Sequence, residues 1–309
     1  MFKVPVLLIL YNRVEETHNV FQILRTVQPT QLYVAGDGPR PDSTLDRLHA
    51  YQARSVVQPE WPCQTHHLWQ EEHLGKNRMI EAAIRWFFSQ EEEGIILFDD
   101  TLPSYDFFPY CEELLGKYRN DGRVYSIGGT YLRHRSRKRY RKRLRKGGAS
   151  YFFSAYAATW GFATWRSRMS DFTLSMDAYQ NADFAKIVDP YMKKSKHKSY
   201  WIHRFTSIKK INATYWDYQY NLHIWSHKGV CITPYLNLTT NIGFKQQGKR
   251  ILKRLKRNAY PIMPLTHPDD TRLNYKEDKY MFRHIFRKAY KYLFRDRLKE
   301  FLPGKNNLE

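Results

Sequence analysis

Acidic residues are under-represented in this chain: 30 Asp and Glu stand against 51 Lys and Arg in 309 residues, a net charge of +21 with histidine neutral. Cysteine is scarce as well. Its three copies, Cys63, Cys111 and Cys231, lie far apart and form no metal-type pair. That spacing argues against a disulfide framework and for a reduced, cytoplasmic setting. The apolar start, Val4 to Leu10, falls well short of the roughly 20 residues that a bilayer-spanning helix needs. It lacks a signal-cleavage pattern and runs directly into Asn12-Arg13, so it reads as a first strand. The sequence has no internal repeat and no recognisable nucleic-acid module, which sets nucleic acid aside as the partner for the excess positive charge.

What is present is a core. Hydrophobic residues make up 42% of the chain, with 8 Trp, 23 Tyr and 18 Phe, and this excludes a disordered protein. The positive charge is clustered. Arg133 to Lys146 holds ten Lys or Arg in fourteen positions, a second cluster runs from Lys245 to Arg257, and a third from Lys276 to Lys299. Anionic lipid or anionic substrate fits such clusters, and so does a plain solvated surface.

The first half alternates strand and helix. Residues 4–11 read as a strand, Glu15 to Val27 as a helix stopped by Pro29, and Gln31 to Ala35 as a strand entering the turn Gly36-Asp37-Gly38-Pro39. Gly75 opens a helix with Ile80, Ala83, Ile84 and Phe87 at helical spacing. The run Gly94-Ile95-Ile96-Leu97-Phe98 then reads as a strand buried on both faces, ending in Asp99-Asp100. A helix over Phe107–Tyr118 and a strand over Val124–Ile127 follow. Such alternation predicts an α/β fold, a Rossmann-like, mostly parallel central sheet flanked by helices, whose ligands sit at the carboxyl ends of the strands. Beyond the basic loop, a helix from Asp217 to about His227 and a strand over Gly229–Thr233 are expected, with Asp217 as N-cap.

Five ordered blocks carry a resemblance. They are Pro5 to Arg13, Leu32 to Arg40, Glu81 to Phe88 ahead of Asp99-Asp100, Trp160-Gly161-Phe162-Ala163-Thr164-Trp165-Arg166, and Trp216-Asp217-Tyr218-Gln219. The series resembles a GT-A-type bacterial glycosyltransferase related to the inverting family-two enzymes, the haemolytic-protein-like or nucleotide-diphospho-sugar transferase group. It implies a GT-A domain over residues 1–268, with a nucleotide-sugar-binding half (1–130) and an acceptor-side half (150–268). A basic amphipathic helical tail (269–307) follows.

The resemblance assigns Tyr11, Asn12, Arg13 and Asp37 to base and ribose, and Asp99 with Asp100 to the diphosphate; Arg40 or Arg78 is a candidate phosphate contact, with a plain surface charge as the other reading of either. Asp37 has a second reading as a simple turn aspartate. Asp100 is the expected ligand for Mg²⁺ or Mn²⁺, although Phe98 replaces the Glu of the relatives' Glu-Asp-Asp. Lys245 to Arg250 likewise replaces a segment that carries His, which opens the alternative that basic side chains supply the charge. Asp217 is the expected general base, its pKa depressed by the helix N-terminus, and the second reading is a cap alone. Trp160, Gly161, Trp165, Trp216 and Gln219 are expected at the sugar and acceptor, with hydrophobic core as the alternative for one of the two tryptophans in the first block.

The function so implied is inverting transfer from a nucleotide sugar, a UDP-sugar first among donors, to a glycan acceptor, lipid-linked or cell-surface. The alternative is a catalytically weakened GT-A domain that binds nucleotide, glycan or membrane without turnover. The stripe Phe282, Phe286, Ala289 and Leu293 among Lys and Arg suits an anionic membrane surface, placing the protein at the inner face of the cytoplasmic membrane. Packing of the stripe on its own domain is the other reading. His66-His67 reads as a solvated pair, since no third ligand stands at recognisable spacing.

Overall fold

The computed structural model of the protein describes residues 1–131, 133, 137–243 and 262–286. The first half runs β1 (Val6–Leu10), α1 (Val14–Val27), β2 (Gln31–Gly36), α2 (Thr44–Val56), β3 (Gln64–Trp69), α3 (Lys76–Gln90), β4 (Glu93–Phe98), β5 (Thr101–Pro103), α4 (Phe107–Tyr118) and β6 (Val124–Gly128). The second runs α5 (Arg137–Leu144), β7 (Tyr151–Ser154), β8 (Phe162–Trp165), α6 (Phe184–Val188), α7 (Ser195–Lys210), α8 (Trp216–Ser226), β9 (Val230–Pro234), β10 (Thr239–Asn241) and α9 (Tyr275–Met281).

Eight strands form one sheet in the order β3-β2-β1-β4-β8-β6-β9-β7, and β5 pairs with β10 separately. β3, β2, β1 and β4 are parallel, as are β6 and β9, while β8 and β7 run against their neighbours. This is the mostly parallel α/β layout expected of a GT-A-like, Rossmann-type fold. β4 lies between β1 and β8, which buries both of its faces and explains its unbroken apolar run.

Alternation along the strands sorts their side chains into two cores. Leu8, Val34 and Leu97 meet α1 and α4 through Val20, Leu24 and Phe107 on one face. Leu7, Ile9 and Ile96 meet Ile80 and Phe87 of α3 in the same core as Trp201 of α7 and Trp225 of α8 on the other. Truncating a fully buried member such as Leu97 to Ala costs about 2–5 kcal/mol. α1 stops where Gln28 turns left-handed (φ 53) and donates its N–H to Leu24 at 2.8 Å, with Pro29 next.

α2 and β3 went unanticipated. α2 starts at a capping pattern, Ser43 accepting the Asp46 N–H at 3.2 Å. β3 is an edge strand with little burial, so its sequence carries no apolar signature. The His66-His67 pair belongs to it, with His66 stacked on Tyr33 (4.5 Å) and His67 on Trp69 (5.1 Å).

The basic segment forms α5 over part of its length; Tyr140 is buried there and Arg143 lies 3.8 Å above the Tyr235 ring. Beyond the Lys245–Arg257 cluster, which lies outside the described residues, α9 docks through two buried carboxyls. Glu277 accepts from Tyr131 (2.7 Å) and Arg133 (3.0 Å), and Asp278 from Ser154 (2.6 Å) and the Ala155 N–H (3.1 Å). Met281 and Phe282 are buried, Phe282 stacks on His197 (3.7 Å), and Phe286 meets Trp201 edge-on. The first members of the apolar stripe therefore cover the domain's own core. Residues 287–309 lie outside the described residues. Among the described residues no helix is long and apolar enough to cross a membrane.

Candidate active site

At the carboxyl ends of β1, β2 and β4 the expected residues come together, but mostly bonded to one another. A buried carboxylate absent from the expectations, Asp46, is the hub. It accepts from Asn12 (2.6 Å), from the Arg40 backbone (2.8 Å) and guanidinium (3.1 Å), and from the Tyr11 hydroxyl. Burial alone raises its pKa, yet these donors, Arg40 first, hold it well below the usual carboxylate range. Burial and the Asp46 charge push Tyr11 up to about 12. The pattern Ser43-Thr44-Leu45-Asp46 is the signal that could have found it.

Asp37 is buried and acts as a brace. One oxygen accepts the Gly38 (3.0 Å) and Leu74 (2.8 Å) N–H groups, and the other accepts that of Gly75 (3.0 Å) with His73 Nδ1 3.1 Å away. The turn reading of Asp37 describes this geometry, and the base contact expected of it would have to compete with these donors. Asp99 is buried and accepts the Tyr11 N–H at 3.0 Å. Burial lifts its pKa to about 7; Arg13 opposes the shift and Asp100 adds to it. Arg13 Nη1 lies 3.4 Å from Asp99 and directly on the Asp100 carboxylate. The metal expected on Asp100 therefore meets a competitor. Among the described residues the two carboxylates have no third protein ligand, so a divalent ion held there would keep waters or phosphate oxygens as its other ligands and would have to displace the half-exposed Arg13 guanidinium.

The second wall is α8. It begins at Trp216, with Tyr215 preceding it, so Asp217 is the second residue of the helix and not the cap that the sequence suggested. The Tyr215 N–H is taken by Gln219 Oε1 at 2.6 Å. Asp217 opens onto a small recess, continuous with solvent, lined by Thr130, Tyr156, Trp160, Tyr218 and Phe286 among others. Asp217 is itself exposed, yet the protein packed around it partly desolvates the carboxyl and raises its pKa; Lys76 and the N–H groups at the helix start pull it only partly back. The depression expected from the helix N-terminus is thus overridden by desolvation.

The walls share a floor. Trp216 sits 5.6 Å from Phe98, the residue before Asp99, and Asn77 of α3 donates to the Thr214 carbonyl (2.6 Å) and accepts from the Trp216 N–H (3.3 Å). The Trp160 carbonyl accepts from Thr130 (2.9 Å) and Thr239 (2.6 Å). Gly161 has φ +74, and a Cβ there would stand 3.0 Å from Thr239 and 3.2 Å from Thr101, the neighbour of Asp100. Only glycine lets this turn lie against the β5–β10 pair.

Several expected sugar contacts belong to the interior. Trp165 is buried within β8, and Trp216 is buried against Phe98 and Phe162, which leaves Trp160 as the tryptophan of its block that faces the recess. Gln219 is buried and donates to the Leu174 carbonyl, so it cannot reach an acceptor. Arg78 is exposed on the first turn of α3, beside Lys76. The sequence did not single out Lys76, Asn77 or Tyr156; it marked Tyr218 only as part of the Trp216–Gln219 block and Phe286 only as part of the tail's apolar stripe.

No protein-family model matches the sequence, and comparison with curated proteins found no match. Among solved structures the protein is similar to the mannosyltransferase PcManGT from Pyrobaculum calidifontis in complex with GDP-Man and Mn²⁺ (TM-score 0.38, 15% identity, covering 74% of this chain and 70% of that one). It is also similar to HddC from Yersinia pseudotuberculosis (TM-score 0.32, 9% identity, 54% of this chain and 78% of that one). A third is the WbbM bifunctional glycosyltransferase (TM-score 0.33, 8% identity, 72% of this chain and 37% of that one). Likenesses this loose carry no argument about chemistry. That rests on the residues.

Proposed function

We propose that the protein is a glycosyltransferase that moves a sugar from a nucleotide-sugar donor to a hydroxyl of a glycan acceptor with inversion, Asp217 acting as general base. The observation that carries this reading is a carboxylate of raised pKa opening onto an aromatic-lined recess, with its helix start packed against the end of β4. Trp160 and Tyr218 line the recess, where an aromatic side chain can pack on the apolar side of a pyranose, and Asp217 stands within the same recess to take the acceptor's proton. The acceptor oxygen then attacks the anomeric carbon as the bond from that carbon to the diphosphate oxygen breaks. The leaving diphosphate is met by Lys76, Arg78 and the first-turn N–H groups of α3. A UDP-sugar is the first donor to test. A lipid-linked or cell-surface glycan, reached from the inner face of the cytoplasmic membrane, suits the positive charge of the 133–146 segment and the tail.

A second reading, binding without turnover, is favoured by the Arg13 guanidinium lying across Asp99 and Asp100. Calorimetry with UDP-, dTDP-, GDP- and CMP-sugars, followed by donor hydrolysis without acceptor, separates the two. Binding with hydrolysis that fails in Asp217→Asn supports transfer. Binding with no hydrolysis and no transfer to any glycan supports the second reading.

A further inference from the structure

The far end of α8 carries a different cluster. His223 and His227 lie one turn apart near the helix C-terminus, their ring centroids 4.7 Å apart. Asp171, in the segment after β8, brings Oδ2 to 3.0 Å from His227 Nε2. One ligand atom from each of the three lies within 4.8 Å of the others. No role in the proposed transfer uses them: ten residues separate Asp217 from His227, about 15 Å along the helix.

The hydrogen bonds fix which nitrogens are on offer. His223 Nε2 is 2.8 Å from the Arg168 carbonyl, and since a carbonyl only accepts, that nitrogen carries the proton. Its lone pair is therefore on Nδ1. His227 Nδ1 is 2.9 Å from the His223 carbonyl, so it too is an N–H, and Nε2, 3.0 Å from an Asp171 oxygen that only accepts, carries in the metal-free protein a proton that a bound cation would displace. Each imidazole is thus anchored to a backbone carbonyl by one nitrogen, which leaves the other for a metal once the proton shared by His227 and Asp171 departs, the outer-sphere arrangement that orients metal-bound histidines. The side chain of His223 is buried, whereas Asp171 and His227 are exposed, which leaves an entry path and room for a water ligand.

From this juxtaposition we propose that Asp171, His223 and His227 bind one divalent cation of the zinc class, through two imidazole nitrogens and one carboxylate oxygen. Donors around one tetrahedral Zn²⁺ stand about 3.4 Å apart, at bond lengths of about 2.0–2.2 Å. The cluster reaches that spacing by small rotations of the exposed Asp171 and His227 side chains. Two nitrogens and one oxygen suit Zn²⁺ over Mg²⁺ or Ca²⁺, which prefer all-oxygen sites. The ion ties the end of α8 to the segment following β8, and so holds the helix whose start presents Asp217.

The test is Zn²⁺ titration of chelator-stripped full-length protein by calorimetry, with thermal melting alongside. One ion per chain at micromolar or lower Kd is expected, with a rise in Tm. Asp171→Asn and His227→Ala, both at exposed positions, should weaken binding at least about tenfold and abolish the Tm rise. The His66→Ala/His67→Ala double variant should leave both unchanged. Co²⁺ in place of Zn²⁺ should give visible bands of a tetrahedral site that vanish in Asp171→Asn. Absence of binding at about 100 µM Zn²⁺, or equal binding by wild type and both cluster variants, overturns the proposal. Loss of binding in the His66/His67 variant with none in the cluster variants overturns it as well.

Discussion

Asp46 and Asp217 both sit in the first turn of a helix at the mouth of the same sheet, and they come to opposite ends. Asp46 faces inward across the ends of β1 and β2, where Tyr11, Asn12 and Arg40 consume its oxygens and hold it ionised. Asp217 faces a recess where no side chain among the described residues donates to its carboxylate, and crowding raises its pKa. A helix start favours a carboxylate in either case. What separates a brace from a base is whether neighbouring elements supply donors or only displace water.

The sharpest test of that contrast is Asp217→Asn. Transfer should fall about 10²–10⁴-fold while nucleotide affinity stays within twofold, read by steady-state kinetics and calorimetry; a loss under tenfold moves the base elsewhere. Asp46→Ala should leave a half-buried hydroxyl, an amide and two Arg40 N–H groups without their acceptor, costing about 1–3 kcal/mol in urea unfolding. Unchanged stability with lost nucleotide binding would make Asp46 part of the site and erase the contrast.

A pH slope comes next. Asp99 holds its proton to about pH 7 when folded, against an ordinary 3.8 when unfolded. Below pH 4 both states are protonated and the group contributes nothing; between 4 and 7 the unfolded state releases its proton first, so rising pH favours unfolding. The slope is at most about 1.4 kcal/mol per pH unit. Asp99→Asn should flatten the fall in Tm over that window, and an unchanged slope would count against Asp99 as its source. On the other wall, Asp217 should place the acidic limb of kcat/KM above the ordinary carboxylate range, with activity lost as pH falls through it. The smallest effect is Trp160→Ala, which should raise the acceptor KM about tenfold, roughly 1.4 kcal/mol, with kcat unchanged. An unaltered KM would remove the ring from the acceptor site.

The sheet was legible because burial writes itself into sequence. β4 carries an unbroken apolar run, being covered on both faces, and α4 was bounded correctly at Phe107 and Tyr118. β3 was missed because an edge strand needs no such run. The start of α8 falls two residues before the expected one, with Tyr215 and not Asp217 at the cap, and the Asp217 pKa shifts up where the helix start predicts down. Both depend on Tyr215, Gln219 and the crowding of the recess, which no local pattern records. Trp160 and Trp165 look alike in sequence. One lines the recess and the other is core, because Gly161 turns the chain between them.

The sequence by itself determined the alternation of strands and helices, the two-faced core and the carboxylates at the strand ends, since hydrophobic periodicity and turn chemistry are local properties. Only the tertiary structure decided which carboxylate is open. Arg13 reaches Asp99 and Asp100 across 86 and 87 residues, and Asn12 reaches Asp46 across 34. A carboxyl's protonation and reach follow from charges and water within a few ångströms, and those neighbours are assembled by folding.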